Sequence, residues 1–508
     1  LQLQAAQTHQ TAGVQGLTPY QIQSAYGLYT GTLANFGNQY SATGTLLKAG
    51  QFYNNLKLSG GKIGDGSGQT IAIIDSGNSP TIVNDLKAFS LQFGLPLMNV
   101  AGGPTFKVVN QNGSSSPATL PPNDADSSVE TALDVEWVHA IAPKANILLV
   151  EVSDPFASFP GGSGGAVDVI SMLSGNMYAR TVPGISVISN SWGGSELLGE
   201  NTVDFVFNTP GGHAGETFVF SAGDTGGPAS YPAASPNVLS VGGTSLKLSA
   251  SNGYSTESIW NDASILDGAG GGGQSGGLIL NPNGSFSLVP LEPVPTFQKG
   301  LGLTSRGTPD VSWDADPQTG FAVYDSFAFG AATPWETIGG TSAGAPQWSA
   351  LLAIADQGRA LVGKSSLSNA QAIMYGLPKS DFHDITVGNN DYLGLGLGLT
   401  GNAAGPGYDL ASGIGTPIAN LVLRDLISSS GTSFVPTSAG AGGLPKNGFF
   451  LTHAKSSIDT VGGEDSDIGQ SQSSGNSIVV LNQNSSTGYR SLGILGEGQV
   501  VAAATPST

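Results

Sequence analysis

The strongest constraint on this chain is a rhythm of short apolar runs separated by helix-like stretches. TIAIID, NILLVEV, ISVISNS, TFVFSAG and NVLSVGG each have strand length and are rich in β-branched residues. Strands that alternate with helical segments are joined by crossovers rather than by tight hairpins. The pattern predicts an α/β fold, a mainly parallel, twisted sheet with helices on both faces.

One segment carries a candidate reaction. In GGTSAGAPQWSALLAIAD, Gly339 to Asp356, a tight Gly-Gly turn precedes an apolar helix, and Ser342 falls at its start. Free N–H groups and the dipole at a helix N-terminus favour developing negative charge. Pro346 fits the first turn of such a helix. A Thr341 or Ser342 that merely caps the helix is the plainer alternative, so a nucleophilic role needs a base elsewhere.

The five histidines, His9, His139, His213, His383 and His453, do not supply that base. His9 and His453 lie in polar terminal segments and His213 in a Gly-rich turn. His139 and His383 read as packing residues. A carboxyl pair is the better candidate. SSVETALDVEWVHAIAP, Ser127 to Pro143, reads as a helix stopped by proline. At about 100° per residue, Glu130, Leu133, Asp134, Trp137, Val138 and Ile141 share one stripe. Two acids among bulky apolar residues are expensive unless they share a proton. Ser127 and Glu130 also match a capping box, which accounts for Glu130 but not for Asp134. Glu136 points elsewhere and reads as a surface or supporting acid.

Taken together, these motifs resemble the sedolisin family of serine-carboxyl peptidases. The likeness rests on Glu130-x-x-x-Asp134, then SAGD ending at Asp224, then GGTSAGAP with Ser342, in that order. Supporting segments are GQTIAIIDSG around Asp75, NSWG from Asn190, YPAASPNVLSVGGT, GGGGQS and RGTPDVSWDADPQTG. It runs from about Gly68 to Leu426. The resemblance implies a subtilisin-like fold with Ser342 as nucleophile, Glu130 as general base and Asp134 as the acid that orients it. It places Asp224 at the oxyanion hole, where the carboxyl must be protonated to donate. Ordinary carboxyls titrate near 4, so such a site is expected to work in acid. Asp75 would join the proton network, and Trp192 would line the site or pack in the core.

The resemblance also implies one structural Ca²⁺ ion. HDITVGNN and AGPGYDLASGIGTP hold acids among glycines, the hard oxygen chemistry calcium takes. The implied ligands are the side chains of Asp384 and Asp409 with the carbonyls of Ile385, Gly405 and Gly407.

Composition limits the alternatives. A net charge of -19 argues against nucleic-acid binding, and no apolar run is long enough for a membrane span. The absence of cysteine excludes disulfides. Only 10% of residues are charged, against about 25% in ordinary proteins, which limits self-repulsion in acid. Three regions are expected: residues 1–67, a polar segment packing on the catalytic domain; 68–430, the peptidase-like domain with its calcium loops; and 431–508, a Ser/Gly/Asn-rich tail or linker in which VVLNQNS has strand character. The segment from Leu278 to Pro295 extends a loop of the family. The chain reads as a secreted, mature monomer without signal peptide or propeptide. Its expected partners are protein or peptide substrates and, in the precursor, its own propeptide. A tripeptidyl-peptidase of the same family, a histidine-dependent subtilase using Asp75, His139 and Ser342, and a non-catalytic binding protein on this scaffold stay open.

Overall fold

The computed structural model describes residues 13–29, 39–40, 46–48, 56–153, 169–265, 267–280, 286–392 and 401–430, together with three strands in the tail. At its centre is an eight-stranded sheet. Its strands are β1 (Thr70–Ser76), β2 (Phe106–Asn110), β3 (Asn146–Val152), β4 (Ile185–Asn190), β5 (Thr217–Ser221), β6 (Val238–Leu248), β7 (Tyr254–Ile259) and β8 (Val311–Asp314). They run in the order β7-β6-β5-β4-β1-β3-β2, with β8 also paired to β6. Only the β6–β7 pairing is antiparallel. This is the expected mainly parallel sheet, and the predicted runs became β1, β3, β4, β5 and β6.

Parallel pairing needs cover on both faces, and alternation along the strands provides it. Ile71 and Ile73 of β1 enter a core shared with helices α2 (Ile82–Phe93), α3 (Ala125–Ile141) and α5 (Thr341–Leu361). Ala72 and Ile74 face the opposite core, which holds Met172 and Leu173 of α4 (Val169–Ala179). Near the N-terminus, helix α1 (Pro19–Ala25) and its flanks lie on the first face: Gln23 Nε2 donates to Ala140 O at 2.7 Å and the Tyr26 hydroxyl donates to Glu257 Oε1 at 2.6 Å.

The two helices of the site are buried all round. Every residue of α3 from Ser128 to Ile141 is buried, and so is every residue of α5 from Thr341 to Arg359. Indole N–H groups hold both in place: Trp137 Nε1 donates to Ala322 O at 3.0 Å and Trp348 Nε1 to Ser312 O at 3.1 Å. Truncating either Trp would cost about 3–5 kcal/mol. α5 also comes very close to the sheet. A Cβ at Gly344 would lie 2.7 Å from Val241 Cγ1 and 3.1 Å from Trp313 Cβ, so only glycine permits this approach.

Several local expectations need correction. α3 starts at Ala125, and its N-cap is Asp124, whose side chain accepts from Ser127 N at 2.8 Å. The Ser127–Glu130 capping box is therefore not the helix start, and Glu130 is free of that duty. Glu136 is fully buried rather than on the surface, and its Oε2 accepts from Tyr324 N at 2.9 Å. The Leu278–Pro295 segment contains a hairpin, Gly277–Leu280 against Phe286–Val289. In the tail, Phe449–His453, Ser477–Asn484 and Gly488–Leu495 make an antiparallel three-stranded sheet, the middle strand covering VVLNQN. The rest of the tail, and His9, lie outside the described residues.

Candidate active site

The site forms at the carboxyl ends of the central parallel strands, the usual place for a ligand crevice in such sheets. Asp75 is the last residue but one of β1, β4 leads into Ser191, and α3 and α5 bring Glu130, Asp134 and Ser342 to the same edge.

Ser342 is the second residue of α5, and the helix N-cap is Gly340. Neither Thr341 nor Ser342 is a cap, so the plainer alternative is removed. Pro346 lies in the second turn, not the first. It has no N–H to give to the carbonyl four residues back, which belongs to Ser342. That freed carbonyl accepts from Ser191 Oγ at 3.2 Å, while Ser342 Oγ donates to Ser191 O at 3.5 Å. Proline within the helix thus opens the bond by which α5 is joined to the segment after β4.

Ser191 Oγ also lies 2.9 and 2.7 Å from the two carboxyl oxygens of Asp134, so its single proton is shared between that carboxyl and the Ser342 carbonyl. One hydroxyl therefore joins the orienting acid to the serine helix. NSWG contained this residue, but nothing in the motif distinguished its role from strand-end packing. Trp192 turns to the opposite core, where Nε1 donates to Asn190 Oδ1 at 3.0 Å and the ring packs edge-on to Phe220.

Glu130 is buried, and neither of its carboxyl oxygens has a hydrogen bond in this structure. Burial raises its pKa well above the usual carboxyl range, and the charge of Asp75 raises it further. The Ser342 hydroxyl beside it acts the other way, favouring the ionised form. Asp134 is also held well above its ordinary value, by burial first, then by Asp75 and Glu130; the Ser191 hydroxyl opposes this. Asp75 is pushed up to about 7 by burial, with the Thr131 hydroxyl acting the other way. Asp75 sits in register with Glu151 on β3, whose carboxyl is raised to about 8, first by burial. Asp75, Glu130, Asp134 and Glu151 thus bear on one another through their charges, and Glu151 is a member the sequence did not mark. Register across parallel strands is needed to find it.

Asp224 stands at the other side of α5. Its Oδ1 accepts from Thr341 N at 2.7 Å and from Thr341 Oγ1 at 2.8 Å. Burial raises its pKa while these two bonds lower it. Gly340 makes the approach possible: its φ is 104°, and a Cβ there would lie 2.8 Å from Asp224 Oδ2.

Histidine is absent from this arrangement among the described residues. His139 is fully buried, with Nε2 2.9 Å from Pro96 O, and burial lowers its pKa to about 4. His383 stacks on Tyr254 at 3.6 Å, and His213 Nδ1 lies 3.1 Å from Glu216 Oε1. A triad of Asp75, His139 and Ser342 does not form.

The second constellation is drawn together around one loop. Asp384 accepts from Gly407 N with both oxygens at 3.0 Å, and Asp409 Oδ2 accepts from Gly405 N at 2.9 Å. Asp409 Oδ1 takes Ala411 N and Ser412 N at 2.9 and 2.8 Å. Ile385 buries its side chain with Ile259 and Ala411. Two carboxylates thus meet at one Gly-Pro-Gly loop, their oxygens held by backbone N–H groups, and carboxylate oxygens are the hard donors that calcium takes.

The architecture defines a subtilisin-like α/β protein, and the Subtilase family profile (Peptidase_S8) matches residues 122–372. A solved structure of Pseudomonas sedolisin, a serine-carboxyl proteinase, aligns over 82% of this chain and 99% of its own, with TM-score 0.55 and 21% identity. In sequence, kumamolisin of Bacillus sp. strain MN-32 is 33% identical over 379 residues, 72% of this chain and 61% of the relative. Sedolisin of Pseudomonas sp. strain 101 is 28% identical over 378 residues, 68% and 56% respectively. The chain belongs to the sedolisin family. It spans less than two thirds of the length of these two relatives.

Proposed function

We propose that this protein is an acid-acting serine-carboxyl endopeptidase, secreted, monomeric and active on proteins. The observation that carries the reading is the placement of Ser342 beside two buried carboxyls of one helix: Asp134 is joined to the serine helix through Ser191, Glu130 lies beside the Ser342 hydroxyl, and no imidazole stands there among the described residues. Ser342 Oγ attacks the peptide carbonyl as its proton passes to ionised Glu130. Asp134 holds the shared proton of the pair and orients Glu130. Asp224, protonated, donates to the oxyanion. The proton on Glu130 then goes to the leaving amine, and water repeats the cycle on the acyl-enzyme.

Electrostatics supports acid. Because the carboxyls are raised by burial and by one another, the set loses its protons in steps as pH rises. The first ionisation provides the base; later ones add like charges around it and remove the donor at Asp224. Activity should fall toward neutral pH.

Calcium completes the reading as a structural ion. Asp384 and Asp409, with the carbonyls of Ile385, Gly405 and Gly407, would hold it, and its charge would offset two carboxylates while cross-linking the loop. Substrates and, in a precursor, the propeptide are the expected protein partners.

The test is digestion of a denatured protein at several pH values with product masses, comparing the native chain with Ser342→Ala. Internal fragments made only in acid, and only by the native chain, are expected. A neutral or alkaline optimum, or undiminished cleavage by the variant, would refute the mechanism; tripeptide products alone would reassign it to the exo-acting branch.

A further inference from the structure

A second group of buried carboxyls lies apart from Glu130 and Asp134. Glu196, Glu200 and Asp204 stand on the stretch that leaves Ser191 and Trp192, and Glu292 follows the hairpin after the Gly-rich 271–277 run. Glu200, Asp204 and Glu292 are buried, Glu200 and Glu292 at 1% exposure each.

Part of their hydrogen bonding crosses between these segments. Glu196 Oε2 accepts from Gly276 N at 2.7 Å, and Glu200 Oε2 accepts from Leu197 N at 2.5 Å. Asp204 Oδ1 accepts from the Tyr231 hydroxyl at 3.1 Å. The backbone N–H of Glu292 donates to Ser275 Oγ at 2.8 Å. Both side-chain oxygens of Glu292, and Oε1 of Glu196 and of Glu200, receive no bond from any N–H or hydroxyl donor that the geometry allows. What they face is carboxyl: Glu292 against Asp204, and Glu196 against Glu200. The other groups bearing on the four are the hydroxyls of Tyr231, Ser235 and Ser275 and the backbone N–H groups of Leu197 and Gly276. Two carboxyls bind each other only when one of them holds a proton; without it they repel.

The segments so joined are the two walls of the site. Ser191, which holds Asp134, lies on the first, and its continuation pairs Gly194 with Tyr231. On the second, Gly271 N donates to Gly223 O at 2.7 Å, next to Asp224. We propose that Glu196, Glu200, Asp204 and Glu292 are positioning residues which, by sharing protons, clamp the wall carrying Ser191 to the wall that supports Asp224. Deprotonation releases the clamp.

Burial, first among the causes, raises all four; Asp204 is pushed up to about 7, Glu200 to about 10 and Glu292 to about 11. A carboxyl raised on folding contributes stability that is complete below its ordinary range and is lost as pH rises through the folded value. The clamp is therefore closed in acid and begins to open near pH 7. Its existence does not rest on the peptidase reading, although its effect on catalysis does.

Hydrogen exchange on the full chain carrying Ser342→Ala, followed from pH 4 to pH 8, tests this without altering the cluster. After correction for intrinsic rates, the amides of Ser275 and Arg306, which donate to Arg306 O and Glu292 O rather than to a titrating carboxyl, should lose about tenfold or more of their protection by pH 8, while those of β1 and β4 keep theirs. In chains carrying Glu200→Gln or Glu292→Gln, whose amides donate at every pH, that loss should move upward by about one pH unit. With Ser342 restored, the alkaline limb of kcat should move with it. Unchanged protection of the two amides between pH 4 and pH 8, or loss at the same pH in the glutamine variants, would overturn the clamp. The expected exchange together with no hydrolysis of any peptide would instead remove the peptidase reading and leave the clamp standing.

Discussion

Replacing Asp224 by asparagine or by alanine should have sharply different consequences. Asp224 Oδ1 is already committed as acceptor to Thr341 N and Thr341 Oγ1 at 2.7 and 2.8 Å. Thr341 Oγ1 accepts from Gly223 N at 3.0 Å and turns its own proton to Asp224 Oδ1. A proton on the carboxyl must then reside on Oδ2. In Asp224→Asn the same two donors would keep Oδ1 in place and put Nδ2 where Oδ2 was, as a permanent donor. Loss of one oxyanion donor costs on the order of 10²–10³ in kcat, about 2.7–4 kcal/mol, so Asp224→Ala should fall that far. Asp224→Asn should stay within about tenfold of the native chain in acid, and its alkaline limb should extend upward because an amide cannot ionise. The assay is kcat and KM on one internally quenched peptide from pH 3 to pH 8. Equal losses in the two variants at every pH would refute the donor role of Oδ2.

Three further outcomes follow from the geometry. Ser191→Ala removes a donor shared by both Asp134 oxygens; hydrogen bonds to charged groups are worth about 1.5–3 kcal/mol, so kcat should drop about tenfold or more and its acid limb should move to higher pH, as a pH–rate profile would reveal. Gly340→Ala forces a side chain into φ 104° and against Asp224 Oδ2; strain of about 1–3 kcal/mol should lower the calorimetric midpoint by a few degrees and activity with it. Asp384→Asn should weaken calcium binding by titration calorimetry and abolish most of the calcium-dependent rise in thermal midpoint; unchanged affinity and midpoint would remove the ion from that loop.

Much of the architecture was legible because β-runs are local. NILLVEV became β3 with the same bounds, and TIAIID became β1 with one residue added. The helices were harder to read by periodicity, for α3 and α5 are buried on every side and have no polar face to mark an inner stripe. The same total burial explains why Glu136 was misplaced. Motif order singled out Ser342, Glu130, Asp134 and Asp224, which the fold gathers around the start of α5, but the bonds that link Asp134 and Asp224 to that helix run through Ser191 and Thr341. Those depend on how α5 meets the end of β4, a tertiary fact. Glu151 beside Asp75, and Glu292 beside Asp204, are likewise neighbours only after the sheet and loops have formed.

The burial of α5 bears on how long the protein stays usable. Ser342 rides on a helix whose residues from Thr341 to Arg359 are all enclosed, with Gly344 pressed on Val241 and Trp313. Such an element opens only when the domain opens as a whole. The serine has no private route to disorder, so shelf life measured by turnover and shelf life measured by structure should be a single half-life, set by the unfolding barrier of the entire domain.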